Sequence, residues 1–187
     1  MTRRASLVAT LLALGLTACG TTPPTRYFSL AQAPPTGARP DAAGLVLRPP
    51  EVRWPAAFDR IEVARPTGGV EVTVDELARW SAAPGRLAAS ALTADLLARL
   101  PGAVIAPWPD PAPAAAVAVT VQVESLDERP AGYGFLAVVS VARGGAPPRR
   151  WTFQAEAEAG HDAQGEAQAL SRLLGALADR IADDLAR

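Results

Sequence analysis

Val117-Ala-Val-Thr-Val-Gln-Val-Glu124 sets the period from which the rest of this chain can be read. Val117, Val119, Val121 and Val123 alternate with Ala118, Thr120, Gln122 and Glu124. A repeat of two belongs to a strand with one face in a core and the other near water. Tyr133–Ala142 and Arg150–Ala159 follow as two further strands, joined by turns that contain Gly and Pro. Three such runs in succession predict an antiparallel meander over Val117–Ala159.

Outside the meander the period changes. From about Gln164 to Ala186, Leu170, Leu173, Leu174, Leu177, Ile181 and Leu185 recur at i, i+3 and i+4, the stripe of an amphipathic helix. Arg172, Asp179, Arg180 and Asp183 take its other side. Upstream, Ser81 and Pro84 precede a second helix that runs to about Leu100. Its apolar face carries Ala88, Leu92, Leu96 and Leu100, and Pro101-Gly102 stops it. Ile61–Ala64 and Val70–Val74, parted by Thr67-Gly68-Gly69, read as a hairpin, and Asp75–Trp80 reads as a helical turn. Short strands are expected at Tyr27–Leu30, Leu45–Leu47 and Ala103–Pro107. Pro49-Pro50 should end the second of these or confine it to an edge. Ala33–Ala43 and Pro109–Ala114 are loops. With no internal repeat and no second boundary, the expected fold is α/β. It is a single domain with a mixed, mostly antiparallel sheet, on which an internal and a C-terminal amphipathic helix pack.

The N-terminus has a different character. Arg3 and Arg4 precede an uncharged apolar run from Leu7 to Leu16, and Leu16-Thr17-Ala18-Cys19 closes it. A positive start, a short apolar run and small residues at the end read as a secretory signal peptide. The run is short of the roughly 20 residues a membrane span needs. The ending Leu-x-Ala-Cys resembles the lipobox of bacterial lipoproteins. That resemblance implies a diacylglycerol on the Cys19 thiol, cleavage after Ala18 and acylation of the new amine. Two acyl chains already anchor a protein stably. Gly20 after the cysteine, where aspartate would favour the inner membrane, implies the outer membrane. The layout is then residues 1–18 as signal peptide, 19–25 as lipidated tether and 26–187 as the body. Gly20–Thr25 reaches about 20 Å when extended, so the body stays near the lipid surface.

Composition narrows the chemistry. The chain of 187 residues has 18 basic and 19 acidic side chains, and every basic one is arginine. Without Arg3 and Arg4 the mature chain carries 16 arginines against 19 acids, a net charge of −3. Nothing in this balance offers nucleic acid a basic face. The absence of lysine excludes Schiff-base chemistry and a phosphate-loop lysine. Cys19 is the sole cysteine, so no disulfide forms within the chain and packing must stabilise it.

Candidate catalytic groups are few. His161, the only histidine, lies in a Gly-His-Asp turn where Asp162 is placed to cap the last helix. One histidine beside one carboxylate falls short of the four ligands of a structural zinc. No Gly-x-Ser-x-Gly elbow or phosphate cradle is present, and no cofactor is implied. Glu156 and Glu158 share one strand face, which reads as solvated because Trp151, Phe153, Ala155 and Ala157 fill the other. The tryptophans are stronger candidates for contact. Trp54 in Arg-Trp-Pro and Trp108 in Pro-Trp-Pro lie in loops, where each either caps the core or anchors a partner. Tyr133 in Gly-Tyr-Gly-Phe is a partner-facing aromatic or a turn closure, and Trp80 is read as core.

The order of these pieces resembles a known family. Tyr27-Phe28-Ser29-Leu30 follows the lipobox within ten residues. Asp59-Arg60 leads into a strand, Arg79-Trp80 precedes an amphipathic helix, and a meander and a last helix close the chain. This resembles the ABC-type transport auxiliary lipoproteins, the PqiC (YmbA) family. The resemblance implies a mixed α/β fold and a non-enzymatic lipoprotein on the periplasmic face of the outer membrane. It also implies an MCE-domain partner in an ABC system that carries phospholipid or other apolar molecules between membranes. Outer-membrane lipid would be met through acylated Cys19, and a homo-oligomer is compatible with this reading. Two alternatives stand beside it: an assembly factor or pilot lipoprotein for another envelope complex, and a wall or lipid hydrolase.

Overall fold

The computed structural model describes residues 23–37, 39–67, 70–106 and 113–186. Its first strands are β1 (Arg26–Phe28), β2 (Val46–Leu47), β3 (Glu51–Arg53), β4 (Glu62–Pro66) and β5 (Val72–Trp80). Helix α1 (Pro84–Arg99) and strand β6 (Val104–Ile105) follow. The meander is β7 (Ala118–Arg129), β8 (Gly132–Ala142) and β9 (Arg149–Glu158), and α2 (Ala163–Leu185) ends the chain.

The valine run becomes the first half of β7, with Val119, Val121 and Val123 buried. Antiparallel pairing runs from Ala118↔Ala142 to Arg129↔Gly132, with a bulge at Glu124. β9 extends the ladder, and parallel β3 closes it on the far side, giving the order β3-β7-β8-β9. Pro49-Pro50 interrupts a strand without redirecting it. Leu47 bridges Val117 before the prolines and Glu51 pairs with Thr120 after them. One residue is absorbed where two ladder donors are missing. β2 also pairs with β6 in parallel.

A smaller sheet has the order β1-β5-β4. The expected hairpin is present as β4 and β5, but the expected helical turn at Asp75–Trp80 is corrected: these residues continue β5. Asp-Glu-Leu-Ala-Arg favours helix locally, yet Ala78, Arg79 and Trp80 pair with β1, and Trp80 donates to the Ile61 carbonyl at 2.7 Å. Ladders on both sides outweigh a propensity of a few tenths of a kcal/mol per residue. The strain of accommodation falls in a bulge, since Glu62 opposes Arg79 while Val63 opposes Asp75. The first strand is Arg26–Phe28, not Tyr27–Leu30, and the strand expected from Ala103 is limited to Val104–Ile105.

Both helices face the same core. Ala88, Leu92, Leu96 and Leu100 are buried along α1, as are Leu170, Leu173, Leu174, Leu177, Ile181 and Leu185 along α2. Burying each leucine is worth about 1.5–3 kcal/mol. The helices pack on each other, and α2 also covers β8 and β9. Gly102 ends α1 at φ +85°, a backbone region only glycine enters without strain. Asp162 caps α2 by accepting from Gly165 N at 2.7 Å. One continuous core joins both helices to the strands, so the chain is a single-domain α/β fold with mixed, mostly antiparallel sheets.

Candidate functional site

The two residue pairs behind the family resemblance meet in space. Arg60, just ahead of β4, lies 3.3 Å from Glu62, and Arg79 of β5 approaches the same carboxylate at 4.0 Å. The Glu62 carboxyl is held below the usual range, first by a backbone hydrogen bond and then by Arg60. Asp59 turns the other way and accepts from Gly85 N at 3.4 Å, beside the start of α1. α1 has no side-chain cap of its own at Ala83, so this carboxylate sits where the helix dipole favours it. Trp80 is buried below. The Arg60–Glu62–Arg79 group stays exposed, on the sheet that receives the chain from its N-terminus.

A second cluster holds the segment that follows β1. Arg99 of α1 is 2% exposed and reaches Asp179 of α2 at 2.6 Å. It also donates to the carbonyls of Ala33 and Pro34 and to Asp95. Asp95 accepts from Ala33 N at 2.8 Å, Ser171 Oγ from Ala31 N at 3.0 Å, and Asp179 from the Thr36 hydroxyl at 2.6 Å. Residues 31–36 therefore lie as a strap across both helices. Burial pushes the Asp95 carboxyl up; at Asp179 burial acts the same way, but hydrogen bonds from Arg99 and Thr36 prevail and hold it low. Arg99 is thus chiefly the partner of Asp179. Beside the strap, Phe28, Ala31, Pro34, Ala167 and Ser171 line a mostly apolar groove of about 360 Å³.

The third cluster is buried at the start of α2. Desolvation pushes the Glu166 carboxyl up to about 8, against the opposing pull of Arg65. Burial, with Glu166 adding to it, pushes the Tyr133 hydroxyl up to about 12. Arg65 Nε, Tyr133 Oη and Glu166 Oε2 are all buried without a hydrogen-bond partner. Arg65 spends another donor on the His161 carbonyl, and His161 Nδ1 lies 2.7 Å from Glu128.

Of the residues singled out in the sequence, Trp54 is buried against Phe135 at a centroid separation of 6.4 Å, and Trp80 is core. Tyr133 is buried as well, beside His161. Trp54 and Tyr133 thus occupy core positions and present no free ring to a partner. Cys19 and Trp108 lie outside the described residues. His161, Glu156 and Glu158 are exposed. The structure brings Tyr133 and His161 together, with ring centroids 6.2 Å apart. The residues that sequence reasoning missed are Asp95, Arg99 and Glu166, although each carried a signal: a charge at the spacing of a buried leucine stripe. Among the described residues no three potential ligands gather as a metal site, and no helix is long and apolar enough to cross a membrane.

Comparison with known proteins places this geometry. Residues 28–182 match the family described as ABC-type transport auxiliary lipoprotein component. A crystal structure of an uncharacterized protein shares the fold with a TM-score of 0.70 at 17% identity, covering 87% of this chain and 99% of that one. The crystal structure of a Xanthomonas campestris protein of family DUF330 gives a TM-score of 0.61 at 12% identity, covering 84% of this chain and 93% of that one. No curated protein matches the chain.

Proposed function

The chain belongs to the ABC-type transport auxiliary lipoprotein component family, and on that premise we propose that it is the non-catalytic, membrane-anchored subunit of an MCE-type ABC system moving phospholipid or other apolar molecules between membranes. The observation that carries this reading is the reach of the family match, from the end of β1 into α2, directly behind Leu16-Thr17-Ala18-Cys19. A body that serves as an adaptor needs a fixed attachment and an accessible contact surface. Acylated Cys19 would supply the first on the periplasmic face of the outer membrane, which leaves the surface away from the tethered small sheet for the second. The Arg99 strap ties the chain to both helices a few residues beyond the tether, so an anchor pulling at residue 19 would act on the folded core.

The test is purification of the tagged chain in detergent from its own host, with labelled palmitate in the medium. The expected result is palmitate on the wild-type chain and co-purification of an MCE-domain protein with its ABC components. Cys19→Ala should give an unlabelled, folded and soluble body that still binds the partner but no longer supports transport. Capture of abundant porins alone, or full complementation by Cys19→Ala, would overturn the proposal.

A further inference from the structure

Seven large apolar side chains stand exposed among the described residues, and five of them sit on one small piece of the molecule. Tyr27 of β1, Ile61 just ahead of β4, Val72 and Leu77 of β5, and Val70 in the β4–β5 loop all belong to the β1-β5-β4 sheet. Tyr27 is 67% exposed and Val70 is fully exposed. The other two, Leu97 and Val104, lie apart on α1 and β6. Exposed apolar side chains scattered singly need no explanation, but a concentration of them marks a contact surface; here Tyr27, level with Arg79, and Leu77, two residues before Arg79, share one sheet face, and Val70 stands free at the end of the hairpin.

The position of this sheet in the chain says what the contact is. β1 is the first element of the body and begins only seven residues after Cys19. We propose that the β1-β5-β4 sheet, led by Tyr27 and Val70, rests on the lipid bilayer itself and fixes the orientation of the body; this rests on the reading that Cys19 is acylated. A tether of about 20 Å cannot carry that sheet far from the surface. A short linker gives an effective concentration in the millimolar range, so a patch too weak to bind membranes alone is held there once anchored. Tyr27 is level with Arg79 across the ladder, so a ring whose apolar body and polar tip suit the headgroup boundary shares that sheet face with a guanidinium. The charges on this sheet are mixed. Arg26, Arg60, Arg65 and Arg79 share it with Glu62, Glu71, Asp75 and Glu76, with Arg60 and Arg79 already engaged by Glu62. The patch therefore fits a zwitterionic surface, with contact driven by apolar area and little affected by salt.

The single cysteine makes this measurable. On the acylated chain an introduced thiol is the only one free, so Val70→Cys and, as control, Val104→Cys can each carry one environment-sensitive dye. Each labelled, acylated chain is incorporated into phosphatidylethanolamine–phosphatidylcholine vesicles containing doxyl-labelled lipid. Flotation reports the anchor and quenching reports the patch. The expected result is several-fold stronger quenching at position 70 than at 104, unchanged by salt, and lost in Tyr27→Ser/Leu77→Ser chains that still float. Equal quenching at both positions in floating chains overturns the proposal while leaving the anchor intact. Chains that fail to float overturn the anchoring reading and this one with it. Burial of the position 70 dye in detergent alone, rising with protein concentration, would make a second copy of the chain the occupant and would also overturn it.

Discussion

Arg99 Nε and Asp179 Oδ1 lie 2.6 Å apart across the interface of α1 and α2, and the guanidinium is only 2% exposed. Its other donors go to Ala33, Pro34 and Asp95, so one side chain closes the helix pair and the strap together. Removing one partner of such a pair leaves a buried charge and costs several kcal/mol. Asp179→Asn should destabilise the body by about 2–4 kcal/mol, less than the full penalty because Asp95 remains. The Asp179 carboxyl is held low in the folded state, so its contribution is present above the ordinary carboxylate range and fades as pH falls through the folded value. Denaturant unfolding from pH 7 down to pH 3 should show that loss in the native chain and a flatter acid limb in Asp179→Asn. Identical acid limbs would contradict it.

Gly175 of α2 is where the strap crosses most closely. A Cβ there would stand 2.4 Å from Ala33 Cβ. In an open helix, Gly→Ala stabilises by about 1 kcal/mol. Here the added methyl meets a strap pinned at Ala31 N and Ala33 N. Gly175→Ala should therefore fail to stabilise, and amide exchange at Ala31 and Ala33 should quicken by about tenfold, equivalent to about 1.4 kcal/mol of local opening. Unchanged exchange at those amides would show that the strap yields freely.

Glu166 gives the stability of this body an unusual slope. Its carboxyl is pushed up to about 8 by burial, well above the ordinary value of 4.5. Between those two values the folded state holds a proton that the unfolded chain has released. Stability then falls as pH rises through that window, in total by a few kcal/mol. Glu166→Gln keeps the shape without the ionisation, so its stability should be flatter from pH 5 to pH 8 and should exceed that of the native chain at the upper end. Parallel profiles for the two chains would place the proton elsewhere.

Much of this architecture can be read from periodicity because two signals are strong. The alternating valines of β7 and the leucine stripe of α2 each repeat long enough to outweigh local ambiguity. β5 defeated the same method. Asp75–Trp80 has helix-favouring residues, and one of its partners, β1, lies about fifty residues upstream, where no local pattern can announce it. The site was harder for a related reason. Arg99 and Asp95 fall at the spacing of the buried leucine stripe, but that period names no partner for them; Asp179 of α2 and the strap from residues 31–36 supply the contacts that hold them inside. Trp54 and Tyr133 were open between core and surface because an aromatic ring serves either. The packing of Phe135 and α2 decides for the core.

The Arg60–Glu62–Arg79 group offers the last separation of stability from function. Exposed ion pairs are worth at most about 1 kcal/mol, so Glu62→Gln and Arg79→Gln should leave the unfolding midpoint almost where it was. With the bilayer covering this face, the same substitutions should also leave capture of the partner intact. Asp59→Ala is the informative control, since Asp59 neighbours Arg60 in sequence but faces Gly85 at the start of α1. It should lower stability by about 1 kcal/mol through the lost cap while partner capture persists. Weakened and less salt-sensitive capture by Glu62→Gln and Arg79→Gln would give this face to the partner instead, because opposite charges steer association.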